Sequence, residues 1–305
     1  MIKESKQKFC LYAKGNIPVL LTAPHAGVKG VNNLLPGGKR RKTYIDEDGD
    51  ETVAKTGNDG FTRDLVEGAY DYLAGKGMKP YVLITTIDRG ALDLNRTLEN
   101  NILTIGAAGI SSGSSVIERL ASIHQYFYEK ALSFANEIMS KSTISSRERA
   151  LHLDIHRAGS VPQGVEFGTG KNKPVADRKL IYTPPAAIPG FYSVSQAFKD
   201  QNFSLVSPLA MVTASWKDEK FNGNLTKATG KNTSGINSIL VEFAKTSMNT
   251  KSKADQIAVK LGKIIENYVK NNSLEFKKSP ARSKVAKSAI SAKKLNTRSV
   301  YFKSR

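Results

Sequence analysis

Ile17-Pro18-Val19-Leu20-Leu21-Thr22-Ala23-Pro24-His25-Ala26-Gly27 is the stretch from which the rest of the chain can be ordered. Its apolar run, Val19 to Ala23, is stopped by a proline and relaxed by a glycine, which is the pattern of a buried strand ending in a sharp loop. The strand delivers His25 to its own C-terminal edge. In open α/β sheets ligands bind in the crevice beyond the carboxyl ends of the strands. His25 therefore either satisfies a turn or belongs to a site, and its companions decide between the two.

Those companions come at matching places along the chain. Asn58-Asp59-Gly60-Phe61-Thr62 leads into Leu65, Val66, Ala69, Tyr70, Tyr72 and Leu73, apolar at helical spacing and closed by Gly75 and Gly77. Pro80 to Ile87 reads as a second buried strand, so strand, helix and strand form a parallel unit with a right-handed crossover. Asp88-Arg89-Gly90-Ala91-Leu92-Asp93-Leu94-Asn95-Arg96 follows at that strand's end. Val116 to Met139 has the pattern of a long amphipathic helix in which His124 is a surface or core residue. In Ala150 to Ile155, Leu151, Leu153 and Ile155 alternate with His152, Asp154 and His156, so the three polar residues share one strand face. A face carrying His, Asp and His either looks into a polar site or forms a solvated edge. Ile188 to Phe203 reads as helical and Leu205 to Ala214 as extended. Ile236 to Ala244 reads as a last strand, and Ala254 to Val269 as a closing helix. Glu242 lies among Ile239, Leu240, Val241 and Phe243, where an acid is out of place unless it has work to do.

Composition narrows the chemistry. The 305 residues are 40% hydrophobic, enough for one large domain or two smaller ones. Cys10 is the only cysteine, so disulfides within the chain and thiolate metal clusters are excluded, and any metal must be held by His and carboxylates. No apolar run reaches the roughly 18–20 residues that span a bilayer, and the first residues lack a signal-peptide core. A soluble, cytoplasmic protein with no membrane partner is expected. The Asn-x-Ser/Thr triplets at Asn202, Asn224 and Asn232 are then chance matches. The net charge is +19, but residues 277–305 hold ten Lys/Arg and no acid, which leaves +9 for the first 276. The expected organisation is a domain over 1–272 and a basic, disordered tail over 273–305, able to touch polyanions nonspecifically.

Two motifs are rejected. Residues 46–57 resemble a calcium loop, yet Glu51 stands where its glycine is needed and Gly57 where its closing glutamate is needed. Gly168-Thr169-Gly170-Lys171 is no phosphate loop, because Val165 and Asn172 replace its first glycine and its Ser/Thr. The stretch from Val28 to Asn58 reads as a solvated surface loop that is either functional or mobile.

His25, Asp59, the Arg89/Asn95/Arg96 group, His156 and Glu242 thus lie at strand ends or helix starts. Hydrolytic zinc needs three protein ligands and an open position, and two histidines with a carboxylate are a common set. A carboxylate base suits a hydrolytic water, and arginine suits a carbonyl or a carboxylate. Pro24-His25-Ala26-Gly27, Asp59 with Thr62 and Leu65, Arg89 with Asp93-Leu94-Asn95-Arg96, Asp154-Ile155-His156 and Val241-Glu242-Phe243 resemble, in order, the motifs of the N-formylglutamate amidohydrolases. That family shares its fold with the zinc carboxypeptidases and the aspartoacylase group. The similarity spans roughly residues 15–270.

The resemblance implies an α/β three-layer sandwich with a mixed, mostly parallel sheet, one zinc, and hydrolysis of an amide bond in a small acidic substrate. It implies His25, Asp59 and His156 as metal ligands, with Asp48 or Asp50 as outside alternatives for the carboxylate. Glu242 takes the place of the general base, Arg89 that of the electrophilic group, and Asn95 and Arg96 those that bind substrate. The sequence departs from the family at Ala26 and Arg157, where serine is usual, and has Val28 where carboxypeptidases place a glutamate. Two other functions fit the same residues: a carboxypeptidase-like or isopeptide hydrolase, and a polyanion-binding protein on a degenerate hydrolase fold.

Overall fold

A computed structural model describes residues 1–5, 8–28, 34–36, 39–45, 48–54, 56–111, 113–159, 161, 164–168, 192–205, 224–230 and 233–277. Its centre is a seven-stranded mixed sheet built on the strand expected at Val19–Ala23. In chain order the strands are β1 (Lys3–Glu4), β2 (Cys10–Ala13), β3 (Val19–Ala23), β4 (Tyr44–Ile45), β5 (Glu51–Thr52), β6 (Tyr81–Thr85), β7 (Leu151–Ala158), β8 (Val165–Gly168) and β9 (Asn237–Ala244). The sheet runs β1-β2-β6-β3-β7-β9-β8, while β4 and β5 form a separate hairpin. The central β6, β3, β7 and β9 are parallel, and β1, β2 and β8 add antiparallel edges.

The helices are α1 (Thr62–Ala74), α2 (Leu98–Gly106), α3 (Ser115–Lys141), α4 (Ile144–Arg147), α5 (Val194–Lys199), α6 (Asn224–Thr229) and α7 (Lys251–Asn271). Strand alternation divides them into two layers. Val19, Leu21, Leu153, Ile155, Ile239 and Val241 face one way and share a core with Leu65, Leu73, Leu261 and Ile265 of α1 and α7. Leu20, Leu83 and Tyr81 face the other way and meet Leu120, Phe127 and Phe134 of α3. Each fully buried aliphatic side chain of this kind stabilises the fold by roughly 1.5–3 kcal/mol. On the α3 side the alternation also carries Thr22, His152, Asp154, His156, Ser238 and Glu242, which makes a polar strip across β3, β7 and β9 toward their C-terminal ends. This is the shared face that the period of two in residues 151–156 requires.

Several segments differ from the sequence expectation. The antiparallel strands β2 and β8 and helix α2 carried no distinct pattern. The expected helix over 188–203 is reduced to α5, and residues 188–191 lie outside the described residues. The extended stretch 205–214 also lies outside them, except for Leu205, which bridges Val165. The excursion over 28–58 is packed in part: Leu34 and Leu35 are buried, and the Arg41 and Lys42 amides bond to Gly90 and Thr104 carbonyls. Residues 278–305, most of the expected basic tail, lie outside the described residues, whereas Leu274 is buried and Phe276 bridges Ser142, so 273–277 pack with the domain. Among the described residues no helix is long and apolar enough to cross a membrane.

The loop after β3 depends on a close backbone approach. Gly27 pairs with Asp88, and a Cβ at Gly27 would lie 2.0 Å from the Ile87 carbonyl oxygen. Backbone cannot yield as a flexible side chain can, so Gly27→Ala is expected to cost at least about 2 kcal/mol in urea denaturation. Gly106→Ala, where nothing lies within 4 Å of the added carbon, is expected within about 0.5 kcal/mol of wild type. Equal stability of the two variants would contradict the packing at Gly27.

Candidate active site

The polar strip ends in a group of buried ionisable side chains. His25 lies two residues beyond β3, His156 is near the end of β7, and Glu242 of β9 is its partner in parallel register. Asp59 arrives from the loop before α1, where its amide donates to the His25 carbonyl at 3.1 Å. Its own carbonyl accepts from the Thr62 amide and hydroxyl, at 3.2 and 2.7 Å. Between them Phe61 adopts φ 67°, a left-handed conformation that costs a non-glycine residue about 1 kcal/mol or more. The turn is thus held in place by the contacts on either side of it.

Asp59 Oδ2 stands 3.2 Å from His25 Nδ1 and 2.9 Å from His156 Nδ1. All three residues are buried, and one ligand atom from each lies within 4.8 Å of the others. The far nitrogens have carboxylate partners: Asp93 Oδ1 is 2.7 Å from His25 Nε2, and Asp154 Oδ2 is 3.3 Å from His156 Nε2. Arg89 ties the acids together, with Nε 2.9 Å from Asp93 Oδ2 and Nη1 3.8 Å from Asp59 Oδ1. Arg41, also buried, holds the Arg89 carbonyl at 2.9 Å and lies 3.6 Å from Asp93.

The charges are set by these neighbours. Burial pushes the Asp59 carboxyl up, but the charge of His25 and the bonds from both histidines outweigh it and hold the acid well below the usual carboxylate range. Asp93 behaves in the same way, with His25, Arg89 and Arg41 overcoming its burial. For His156 burial opposes the charge, yet Asp154 and Asp59 keep the imidazole protonated well above its ordinary range. Burial lowers the Arg41 guanidinium to about 10 against the pull of Asp93. Glu242 differs from the other acids: burial raises it to about 7, opposed by His156 and reinforced by Asp59. Its Oε2 is buried and has no hydrogen-bond partner among the described residues.

The residues singled out in the sequence are not all brought together. His25, Asp59, His156 and Glu242 converge, whereas Asp48 and Asp50 are exposed and stand outside the group. Asn95 lies at its edge, with Nδ2 3.4 Å from His156 Nε2. Arg96 lines a cavity of about 210 Å³ with Arg41, Thr104 and residues of β5. Its guanidinium makes no hydrogen bond or ion pair among the described residues, while its carbonyl accepts from His124 Nε2 at 2.8 Å. Arg157 points to the opposite side of the sheet from His156, where its guanidinium packs on Gly60 and donates to the Met248 carbonyl at 3.3 Å. Asp93, Asp154 and Arg41 were not marked as site residues by the sequence. The first two occur inside motifs that drew notice for their neighbours, and Arg41 sits in a basic run indistinguishable from a solvated one.

The three-ligand group could hold a metal ion. Zinc bonds of about 2.0–2.1 Å separate tetrahedral ligands by roughly 3.3 Å, close to the spacings at Asp59 Oδ2. The carboxylates on both far nitrogens orient the rings as outer partners of metal-bound histidines do. The unpartnered Glu242 oxygen leaves an acceptor on the same strip.

No family model matches the chain, and no curated protein matches it. Solved structures do. The gene product Atu2144 of Agrobacterium tumefaciens superposes with a TM-score of 0.55 at 11% identity, covering 86% of this chain and 94% of that one. The N-formylglutamate amidohydrolase of Ralstonia eutropha JMP134 superposes with a TM-score of 0.52 at 12% identity, covering 86% and 98%. The chain therefore has the α/β fold of these proteins over nearly their whole length.

The raised pKa of Glu242 has a consequence for stability. A carboxyl near 7 in the fold and near 4.5 when unfolded favours the fold fully below pH 4.5, and that contribution is lost as pH rises through 7. In chelator-treated protein, wild type is expected to lose about 3 kcal/mol relative to Glu242→Gln between pH 4.5 and 8. Urea denaturation at the two pH values checks this; a difference that does not change with pH would show that Glu242 is not shifted.

Proposed function

We propose that the chain is a zinc-dependent hydrolase that cleaves the amide bond of a small N-acyl amino acid of the N-formylglutamate type. The observation that carries this is the His25–Asp59–His156 group with an unpartnered, buried carboxylate oxygen of Glu242 on the adjoining strand. The fold shared with an N-formylglutamate amidohydrolase supports it.

In this account His25, Asp59 and His156 would hold the zinc. When bound, zinc supplies Lewis acidity, which lowers the pKa of water and polarises a carbonyl. Glu242 Oε2 takes a proton from the attacking water as its oxygen adds to the acyl carbon. The same oxygen returns that proton to the amine nitrogen as the carbon–nitrogen bond breaks. A carboxyl titrating near 7 is suited to both transfers. Arg89 is fixed through Nε to Asp93, which leaves its outer guanidinium edge to meet charge developing on the carbonyl oxygen. Arg96 takes a substrate carboxylate in two parallel bonds, because its fork matches that group and has no other ionic partner among the described residues. Asn95 borders the substrate between Arg96 and His156.

Turnover of N-formyl, N-acetyl and unblocked dipeptide substrates by the zinc-loaded protein tests the proposal. N-formyl acidic amino acids are expected to be the best substrates. Glu242→Gln is expected to lose about 10²–10⁴-fold in kcat while retaining zinc. Arg96→Met is expected to raise KM for acidic substrates roughly 10–100-fold, the value of a lost charge-assisted contact. Absence of turnover on every N-acyl amino acid, or a preference for dipeptides, would contradict it.

A further inference from the structure

Thr22 is the polar residue inside the apolar run of β3, and His152 opens the polar face of β7; both are fully buried and neither belongs to the three-ligand group. Thr22 Oγ1 lies 2.6 Å from Asp154 Oδ1 and 2.8 Å from His152 Nε2. His152 Nδ1 lies 2.8 Å from Ser238 Oγ and 2.7 Å from Thr229 Oγ1. On the other side of the carboxylate, Asp154 Oδ2 accepts from Thr226 Oγ1 at 3.1 Å and faces His156 Nε2 at 3.3 Å.

The protons in this row have one consistent arrangement. A carboxylate only accepts, so the single hydroxyl proton of Thr22 goes to Asp154. The Thr22 oxygen can then only accept from His152, which must carry its proton on Nε2. His152 Nδ1 is left bare, as it must be to receive a hydroxyl proton from Ser238 or Thr229. Reversing the tautomer of His152 would require Thr22 to donate two protons from one hydroxyl. At the far end His156 Nε2 faces the same acceptor-only carboxylate. Asn95 Nδ2, 3.4 Å away with its amide oxygen turned to the Leu225 amide, is a neutral donor that would suit a bare Nε2, but the nearer, charged Asp154 carboxylate is the stronger partner and holds the proton on Nε2.

We propose that Thr22 and His152 are positioning residues for the metal centre: their buried, one-directional chain locks Asp154 as the acceptor for His156 Nε2–H, which leaves His156 Nδ1 as the nitrogen that binds metal. Resting on the metal site proposed above, this gives the polar strip of β3 and β7 a function beyond packing. It also joins α6 to the centre, since Thr226 and Thr229 close the two ends of the row. An unmet donor or acceptor anywhere in so dry a row would be costly, so the arrangement admits few alternatives.

Two measurements on the full chain test this. In chelator-treated protein with ¹⁵N-labelled histidine, long-range ¹H–¹⁵N correlation is expected to show His152 neutral and protonated on Nε2. In competition titrations with a chromophoric chelator, Thr22→Val, which keeps the shape and removes the hydroxyl, is expected to bind zinc about 10–100-fold more weakly, as loss of an outer partner does. Thr22→Ser should bind within about threefold of wild type. A residue that only supported the fold would lower stability without this rescue pattern in affinity. An Nδ1-protonated His152 overturns the proposal on wild type alone, even if Thr22→Val does not fold. Wild-type zinc affinity in a folded Thr22→Val overturns the positioning role and leaves the metal site standing. Failure of wild type to bind zinc removes both.

Discussion

One carboxylate oxygen, Asp59 Oδ2, is shared by the Nδ1 atoms of two histidines, one just beyond β3 and one in β7, and the polar half of the structure is arranged to keep them there. Buried charge is costly unless paired, and here each member is paired twice. His25 lies between Asp59 and Asp93, His156 between Asp59 and Asp154, and Arg89 spans the acids that would otherwise repel. Removing any one group leaves its neighbours with uncompensated charge. Glu242 stands apart, since burial raises it while its Oε2 has no partner among the described residues. Asp59, Asp93 and Asp154 each have partners among the described residues, which sets Glu242 apart from them.

The central parallel strands were legible because each carries a continuous or alternating apolar run bounded by proline or glycine. Helices α1, α3 and α7 were legible because their buried faces repeat at helical spacing. Residues 151–156 gave the most, since a period of two places His152, Asp154 and His156 on one face without knowledge of any neighbour. The antiparallel strands β2 and β8 are four residues each, too short for either period to register. Segment 28–58 misled in part. Arg41 belongs to a run of basic residues that looks solvated, and only tertiary contact with Arg89 and Thr104 shows that it is inside.

The site was legible as residue types and order, not as connections. His25, Asp59 and His156 are distant in sequence, and their convergence follows from β3 and β7 being neighbours and from the turn at Phe61. Asp93 and Asp154 could have been suspected, because an acid beside a ligand motif is the usual outer partner of a metal-bound histidine. Arg96 was expected to meet substrate, and the structure adds the cavity shared with Arg41 and the hairpin residues of β5. Excursion 28–58 thereby supplies a wall of that cavity rather than a solvated loop alone.

The central claim is that His25 Nδ1, Asp59 and His156 Nδ1 hold a single zinc. Anomalous diffraction at the zinc edge from crystals of the zinc-loaded protein tests it most directly. The account predicts one strong peak about 2.0–2.1 Å from both Nδ1 atoms and from an Asp59 oxygen. A peak elsewhere, or ligation through either Nε2, would contradict it.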